Sequence, residues 1–380
     1  MNNPFTKSKN LIYLSLIIFF SCSGTLQNDN QHQKSSEDAY PGLEDFNIKR
    51  GTNISHWLSQ SNRRGTEREN FFQSKDIELI AELGYDHIRL PVDEEQLWDE
   101  QGNKEQEAFQ LLHKGIEWAL ENDLKVIVDF HILRSHHFNE DKKPLWTSDE
   151  EQQKFIGFWI QLSDELNQYP ENKVAYELMN EPVADDHNDW NQLVEKTVKA
   201  IRLKEPSRKI FIGSNMWQSV DTFQFLEIPE NDEHIILSFH FYEPFLLTHY
   251  RTSWTYLFPY KGNVRYPGLL TDPEEIEKYP DEVAERISHH NKVFTRDSLA
   301  DLIRKPLYFA KKHNLPVHCG EWGCYTSVDQ DSRMTWYADV RSILEEFRIP
   351  WTHWDYKGGF GIINNETGEK NEELIDVLLN

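Results

Sequence analysis

From residue 48 onward, short apolar runs alternate with segments of helical period, and the alternation continues to the end of the chain. Residues 48–54 predict a first strand. Ile77, Ile80 and Ala81 share one face of a helix over 76–83 that Gly84 closes, and 85–92 read as a second strand. Ala108, Leu112, Ile116, Ala119 and Leu120 recur at helical spacing. KVIVDFH (125–131) is an apolar run of the kind a strand shows when both faces are buried. A helix over 149–167 precedes VAYELMNEP (174–182), and another over 189–204 precedes KIFIGS (209–214) and IILSFHFY (235–242). Helices over 297–312 and 332–347 bracket PVHCGEWG (316–323); an eighth strand over 351–356 and a helix over 372–379 close the chain. Only the crossover between 214 and 235 lacks a clear helical period. Eight strands, mostly separated by helices, predict an α/β fold of the (β/α)8 TIM-barrel type rather than a doubly wound sheet.

Two segments break this rhythm. Residues 243–295 have no clean period but carry Phe245, Tyr250, Trp254, Tyr256, Phe258, Tyr260 and Tyr266. A segment this long inside a compact domain is usually functional, so a lid, a binding wall or a self-packed subdomain is expected after strand six. At the other end, Lys7 and Lys9 precede an apolar run over 11–20 that is too short to span a bilayer and is followed by Ser21 and Cys22. Residues 1–22 therefore predict a signal peptide similar to that of bacterial lipoproteins. Lipidation of Cys22 would anchor an exported chain to a membrane, and plain secretion is the alternative because Phe19 and Phe20 depart from the usual pattern. Polar residues 23–44 read as a disordered tether, leaving 45–380 as the folded domain.

The formal charge of −24 argues against nucleic acid as a partner. Twelve tryptophans are more than a core of this size needs, which suits a protein that stacks on sugar faces. Cys319 and Cys324 have opposite strand parity, so no disulfide is expected between them. No cofactor or metal is expected. His131, His136 and His137 have no standard ligand spacing, although a small metal cluster there is the competing reading. A monomer is expected.

The chemistry gathers at strand ends. Pro182 cannot donate to a sheet ladder, so the strand carrying Asn180 and Glu181 must end or break there. Glu321 ends another strand far along the chain. Two carboxylates on the rim of a β/α barrel are what glycosidic cleavage requires. Arg89, His131, His240, Tyr242 and Trp354 belong to the same rim, and His240 and Tyr242, two apart, share a face. A histidine on an apolar strand is more often a hydrogen-bonded core residue than a catalytic one. Seven polar positions converging on one rim carry more weight, because buried charges need partners. Trp57, Trp146, Trp217 and Trp254 are candidates to extend a sugar platform or to pack.

These motifs resemble glycoside hydrolase family 5, the cellulase-like enzymes. The similarity rests on Arg89 in IRLPV, His131 in VDFH, Asn180 and Glu181 in LMNEP, His240 and Tyr242 in FHFYEPF, Glu321 in CGEWG and Trp354 in WTHWDYKGGFG. FLLTHYRTSW (245–254) is similar to bacterial cellulases in particular. The resemblance implies retaining hydrolysis of a β-linked glucan or related polysaccharide, with Glu321 as nucleophile and Glu181 as acid and then base. It further implies that Asn180 binds a sugar 2-hydroxyl, that His131 and His240 bind hydroxyls or the acid, and that Trp354 stacks under the sugar. An exo-acting β-glycosidase and a β-mannanase are the alternatives within the family. From another class, a non-catalytic surface glycan-binding protein is the alternative, and a retired enzyme has no reason to keep both carboxylates. The rings of 243–295 lead to the expectation of a walled cleft that favours oligosaccharides or chain ends.

Overall fold

The computed structural model describes residues 42–380, so the expected signal peptide, Cys22 and the tether to residue 41 lie outside the described residues. Eight parallel strands close into a barrel: β1 Arg50–Asn53, β2 His87–Asp93, β3 Lys125–Ile132, β4 Val174–Glu177, β5 Ile210–Gly213, β6 Ile235–Phe241, β7 Val317–Trp322 and β8 Trp351–His353. Arg50 opposite Trp351 completes the ring. Every residue of β2 and β4 to β8 is buried, as strands packed between an interior and a helical layer must be.

The interior is built in layers. At the bottom, Ile127, Ala175, Phe211 and Ile236 point inward and are covered by Leu43, Phe46 and Ile48. Leu43 is fully buried, so packing begins before the boundary expected at residue 45. Above this plug, Thr352 Oγ1 lies 2.9 Å from His87 Nε2 and 2.8 Å from His318 Nε2. Gly51 has no side chain because a Cβ there would meet the His87 ring at 2.4 Å. The polar rim residues form the top layer.

Helices Ser74–Glu82, Gln106–Glu121, Asp149–Leu166, His187–Arg202, Arg296–His313, Gln330–Glu346 and Glu372–Leu379 fall where the apolar period placed them. Ser148, Asp186, Thr295, Asp329 and Asn371 accept backbone N–H groups at five of their starts. The crossover from β5 to β6 holds only a short turn of helix, Phe223–Phe225. Its Phe223 packs edge-on against Phe309 of Arg296–His313 and helps to cover the barrel there.

Residues 243–295 form a small subdomain on the rim. Short helices Phe245–Thr248, Pro273–Ile276 and Asp281–His290 surround a two-stranded antiparallel ribbon, Gly268–Leu269 against Val293–Phe294. Tyr250, Tyr260 and Tyr266 are buried, with the Tyr250 hydroxyl donating to the Gly262 carbonyl at 2.7 Å. Trp254, Tyr256 and Phe258 stay exposed. Part of the segment thus packs on itself as a subdomain, while Trp254 and Tyr256 line the cleft. The thiols of Cys319 and Cys324 are buried and free.

Trp57 corrects the sugar-platform expectation. It is fully buried, its indole N–H donates to the Arg68 carbonyl at 2.9 Å, and its ring lies against Phe72 and Trp118. Gly115 makes room for it, since a Cβ there would approach the ring to 2.9 Å. A ring so enclosed cannot meet a ligand. Trp57→Ala should therefore destabilise the chain by about 3–5 kcal/mol in urea unfolding, the usual cost of emptying such a site. A loss below about 1 kcal/mol would contradict this packing role.

Candidate active site

Arg89 is the centre of the rim. It lies mid-strand in β2 rather than at its end, fully buried and pointing into the barrel. Its Nε donates to Glu177 Oε2 at 2.6 Å, and Nη1 to Glu321 Oε1 at 2.7 Å and Asn53 Oδ1 at 2.9 Å. Nη2 donates to Asn180 Oδ1 at 2.9 Å and lies 3.0 Å from Asp129 Oδ2. Burial works against its charge, but the carboxylates of Asp129, Glu177 and Glu321 outweigh burial and raise its pKa.

Irregularities in the sheet aim the other groups. β4 ends at Glu177, so Asn180 and Glu181 lie just beyond the strand rather than within it. Glu181 has φ of +45°, a left-handed conformation that turns its side chain to the cleft beside Asn180. The break that alternation demanded is at Glu181 itself. Between β2 and β3 the register jumps from Phe130 to Ile132, leaving His131 as a bulge. Between β6 and β7 it jumps from Cys319 to Glu321 and sets His240 opposite Glu321. Bulges of this kind re-aim side chains next to active sites.

The result is a compact polar cluster at the floor of a cleft of about 2050 Å³. A carboxylate oxygen of Glu181, one of Glu321 and a ring nitrogen of His240 lie within 4.8 Å of one another. His240 Nδ1 is 2.9 Å from Glu181 Oε1 and 3.7 Å from Glu321 Oε2. The Tyr242 hydroxyl donates to Glu321 Oε2 at 2.8 Å. Burial raises the Glu181 pKa well above the usual carboxyl value, and the neighbouring Glu321 charge raises it further. Burial also raises Glu321, but Arg89 and the Tyr242 hydroxyl oppose it, so Glu321 ionises before Glu181. Burial keeps both histidines neutral, with His131 lowered to about 3.

His131 Nδ1 is 2.7 Å from Asp129 Oδ2, and its ring stacks on Trp354 with centroids 5.5 Å apart. The Gln60 amide reaches His131 Nε2 at 3.1 Å. Trp354 lines the cleft just past β8, and Trp217 and Trp254 line it while 45% and 52% exposed. Trp146 packs on His136 and Trp190 instead. The alternative metal cluster does not form: His131 is held by Asp129, and His136 Nε2 accepts the Val183 N–H at 3.0 Å. Among the described residues, the one set able to hold a cation is Glu181, His240 and Glu321 themselves.

Asp129, Glu177, Gln218 and Asn53 belong to this cluster and were absent from the sequence expectation. A signal existed for two of them, because Asp129 and Glu177 are charges inside strands buried on both faces and must have partners. Burial raises Asp129 to about 7, opposed by Arg89, and it raises Glu177 as well. No local pattern marks Gln218.

An interleaved parallel barrel with two carboxylates this close is the architecture of a retaining glycosidase, in which the carboxyl groups lie roughly 5–5.5 Å apart rather than 6.5–9.5 Å. The family model described as Cellulase (glycosyl hydrolase family 5) matches residues 49–359, and the chain belongs to that family. It is a glycosidase that hydrolyses O-glycosyl compounds. Endoglucanase C of Acetivibrio thermocellus is 32% identical over 337 residues, covering 87% of this chain and 98% of the relative. Cellodextrinase A of Ruminococcus flavefaciens is 26% identical, covering 81% and 85%. The crystal structure of an endoglucanase from Thermotoga maritima has the same fold, with a TM-score of 0.73 at 24% identity over 89% of this chain and 99% of that one.

Asp93, at the end of β2, accepts the Gln60 N–H at 2.6 Å and helps to hold the loop that reaches His131. Burial raises its pKa to about 7. A carboxyl raised above its unfolded value binds more protons when folded, so its stabilising contribution is present at low pH and lost between roughly pH 4 and 7. The unfolding free energy of wild type relative to Asp93→Asn should therefore fall across that window and level off above it. A difference independent of pH in urea unfolding would show that Asp93 is not raised.

Proposed function

We propose that Glu321 attacks the anomeric carbon of a β-glucan and that Glu181 protonates the departing oxygen. The proximity of the two carboxyls within one neutral-histidine, single-arginine cluster carries this reading. Arg89 and Tyr242 hold Glu321 ionised and oriented, while Glu181 keeps its proton. Once Glu321 is esterified its charge is gone, the Glu181 pKa falls, and Glu181 acts as base toward water. Asn180 spends its carbonyl oxygen on Arg89, so its amide N–H is the group it offers to the sugar 2-hydroxyl. Trp354 stacks under the reacting sugar, and Trp217 and Trp254 take its neighbours along the cleft.

The endoglucanase and cellodextrinase relatives support a β-linked glucan or its oligosaccharides as substrate. Phe245, Trp254 and Tyr256 of the rim subdomain line the cleft and support a wall at one end, favouring short chains or chain ends. The apolar run ending at Cys22 supports export as a lipoprotein anchored to a bacterial membrane, periplasm-facing or at the cell surface, with secretion if Cys22 is not lipidated.

Glu321→Gln should lower turnover of a cello-oligosaccharide by about four orders of magnitude while leaving the thermal midpoint near wild type. Residual activity above about a tenth of wild type would remove Glu321 as nucleophile. Proton NMR should find the β-anomer as first product, and an α-anomer would mean inversion. The pH profile of kcat/KM should be bell-shaped, its acid limb set by protonation of Glu321 and its alkaline limb by loss of the Glu181 proton. The two limbs belong to the pair as a whole. For the wall, viscosity and reducing ends of a soluble β-glucan should fall and rise together slowly; a steep early viscosity drop for few cuts would contradict it.

A further inference from the structure

The geometry points to Gln218 as the positioning residue for the acid: it holds Glu181 and the histidine that binds the Glu181 carboxyl in one clasp. This rests on the assignment of Glu181 as acid made above. Three successive residues after β5, Met216, Trp217 and Gln218, have φ of +60°, +59° and +52°. Such a run is costly for residues with side chains and persists only when its surroundings enforce it. It sends Trp217 out into the cleft and Gln218 back into the barrel, where Gln218 is fully buried.

Gln218 then makes three contacts around the acid. Its Oε1 accepts the Glu181 N–H at 3.0 Å. Its Nε2 donates to Glu177 Oε1 at 3.0 Å. Its backbone carbonyl accepts the His240 N–H at 3.0 Å. The amide has one possible orientation, because an N–H faces one end and a carboxylate held by Arg89 faces the other. A reverse contact closes the clasp, with the Trp217 N–H donating to the Pro182 carbonyl at 3.3 Å. Glu181 is itself left-handed, and Gln218 supplies the partner for its N–H in that conformation. Gly213 completes the arrangement, since a Cβ on it would meet the Gln218 side chain at 2.3 Å.

Without this clasp, Glu181 loses the partner that stabilises its turned backbone and its carboxyl moves off the line to the departing oxygen. The nucleophile, held separately by Arg89 and Tyr242, keeps its place. The expected defect is therefore in leaving-group protonation alone. Trp217, next in sequence, would transmit sugar stacking to the acid through the same turn.

The test compares two β-cellobiosides, one with a methyl leaving group that needs a proton and one with a 2,4-dinitrophenyl group that does not. For Gln218→Met, kcat/KM on the methyl glycoside should fall about 100-fold, and on the dinitrophenyl glycoside less than about 3-fold. This ratio is independent of the fraction of enzyme that folds. Gly213→Ala, which displaces the Gln218 amide without altering it, should give the same split. Gln218→Glu retains the acceptor for the Glu181 N–H and should recover most of the loss below neutral pH. Equal losses on both substrates in Gln218→Met and Gly213→Ala, with Glu181→Gln still split, would reduce Gln218 to packing and overturn the inference. A Glu181→Gln variant with no split would instead overturn the acid assignment, and the inference with it.

Discussion

One guanidinium inside the barrel faces three carboxylates, and a fourth stands within 4.8 Å of one of them. Arg89 cannot balance Asp129, Glu177, Glu181 and Glu321 together, so the low-dielectric interior keeps protons on those it holds least well. Burial raises all four and Arg89 opposes it at each, but Glu321 also accepts hydrogen bonds from Arg89 and Tyr242, while Glu181 lies beside the Glu321 charge, which raises it further. The order in which Glu321 and Glu181 ionise, on which their proposed roles as nucleophile and acid rest, therefore follows from burial together with how one cation is divided. Removing one partner of such a buried set leaves charge uncompensated, and the network is shared by residues from six strands and the loops beyond them.

Backbone strain is concentrated where this network meets the cleft. Of eleven non-glycine residues with positive φ among the described residues, six are His56, Gln60, Glu181, Met216, Trp217 and Gln218, all in the loops of the rim. The backbone N–H of three of them is held by a partner: Asp93 holds Gln60, Gln218 holds Glu181, and Pro182 holds Trp217. The barrel below supplies the rigidity through its histidine–threonine layer and apolar plug. Chemistry and scaffold thus occupy different layers of one interior.

The subdomain over 243–295 adds cleft-lining rings without disturbing that plan. It buries Tyr250, Tyr260 and Tyr266 and joins the barrel through Tyr266, whose hydroxyl donates to Asp339 of helix Gln330–Glu346 at 2.6 Å. Its remaining rings, Trp254 and Tyr256, are left for the cleft.

Local pattern in the chain was enough for the barrel, because strands buried on both faces and helices with one apolar face have periods that survive in sequence. The same is true of Arg89, Glu181, Glu321, His240 and Tyr242, which are polar residues in or next to apolar strands and so betray themselves. Other features depended on neighbours far along the chain. Trp57 and Trp217 are alike as residues following strands, and only the space opened by Gly115 against the left-handed turn at 216–218 makes one core and the other cleft. Asp129 and Glu177 carried a signal in their charge, but which of the four carboxylates keeps its proton depends on burial and on the charged and hydrogen-bonding partners that the closed barrel gathers around each. Gln218 had no signal at all, since its role comes from a backbone turn that brings it to Glu181, 37 residues away. Periodicity is a short-range property and is written in sequence; the division of a charge and the aim of a strained loop are long-range properties that exist only once the barrel has closed.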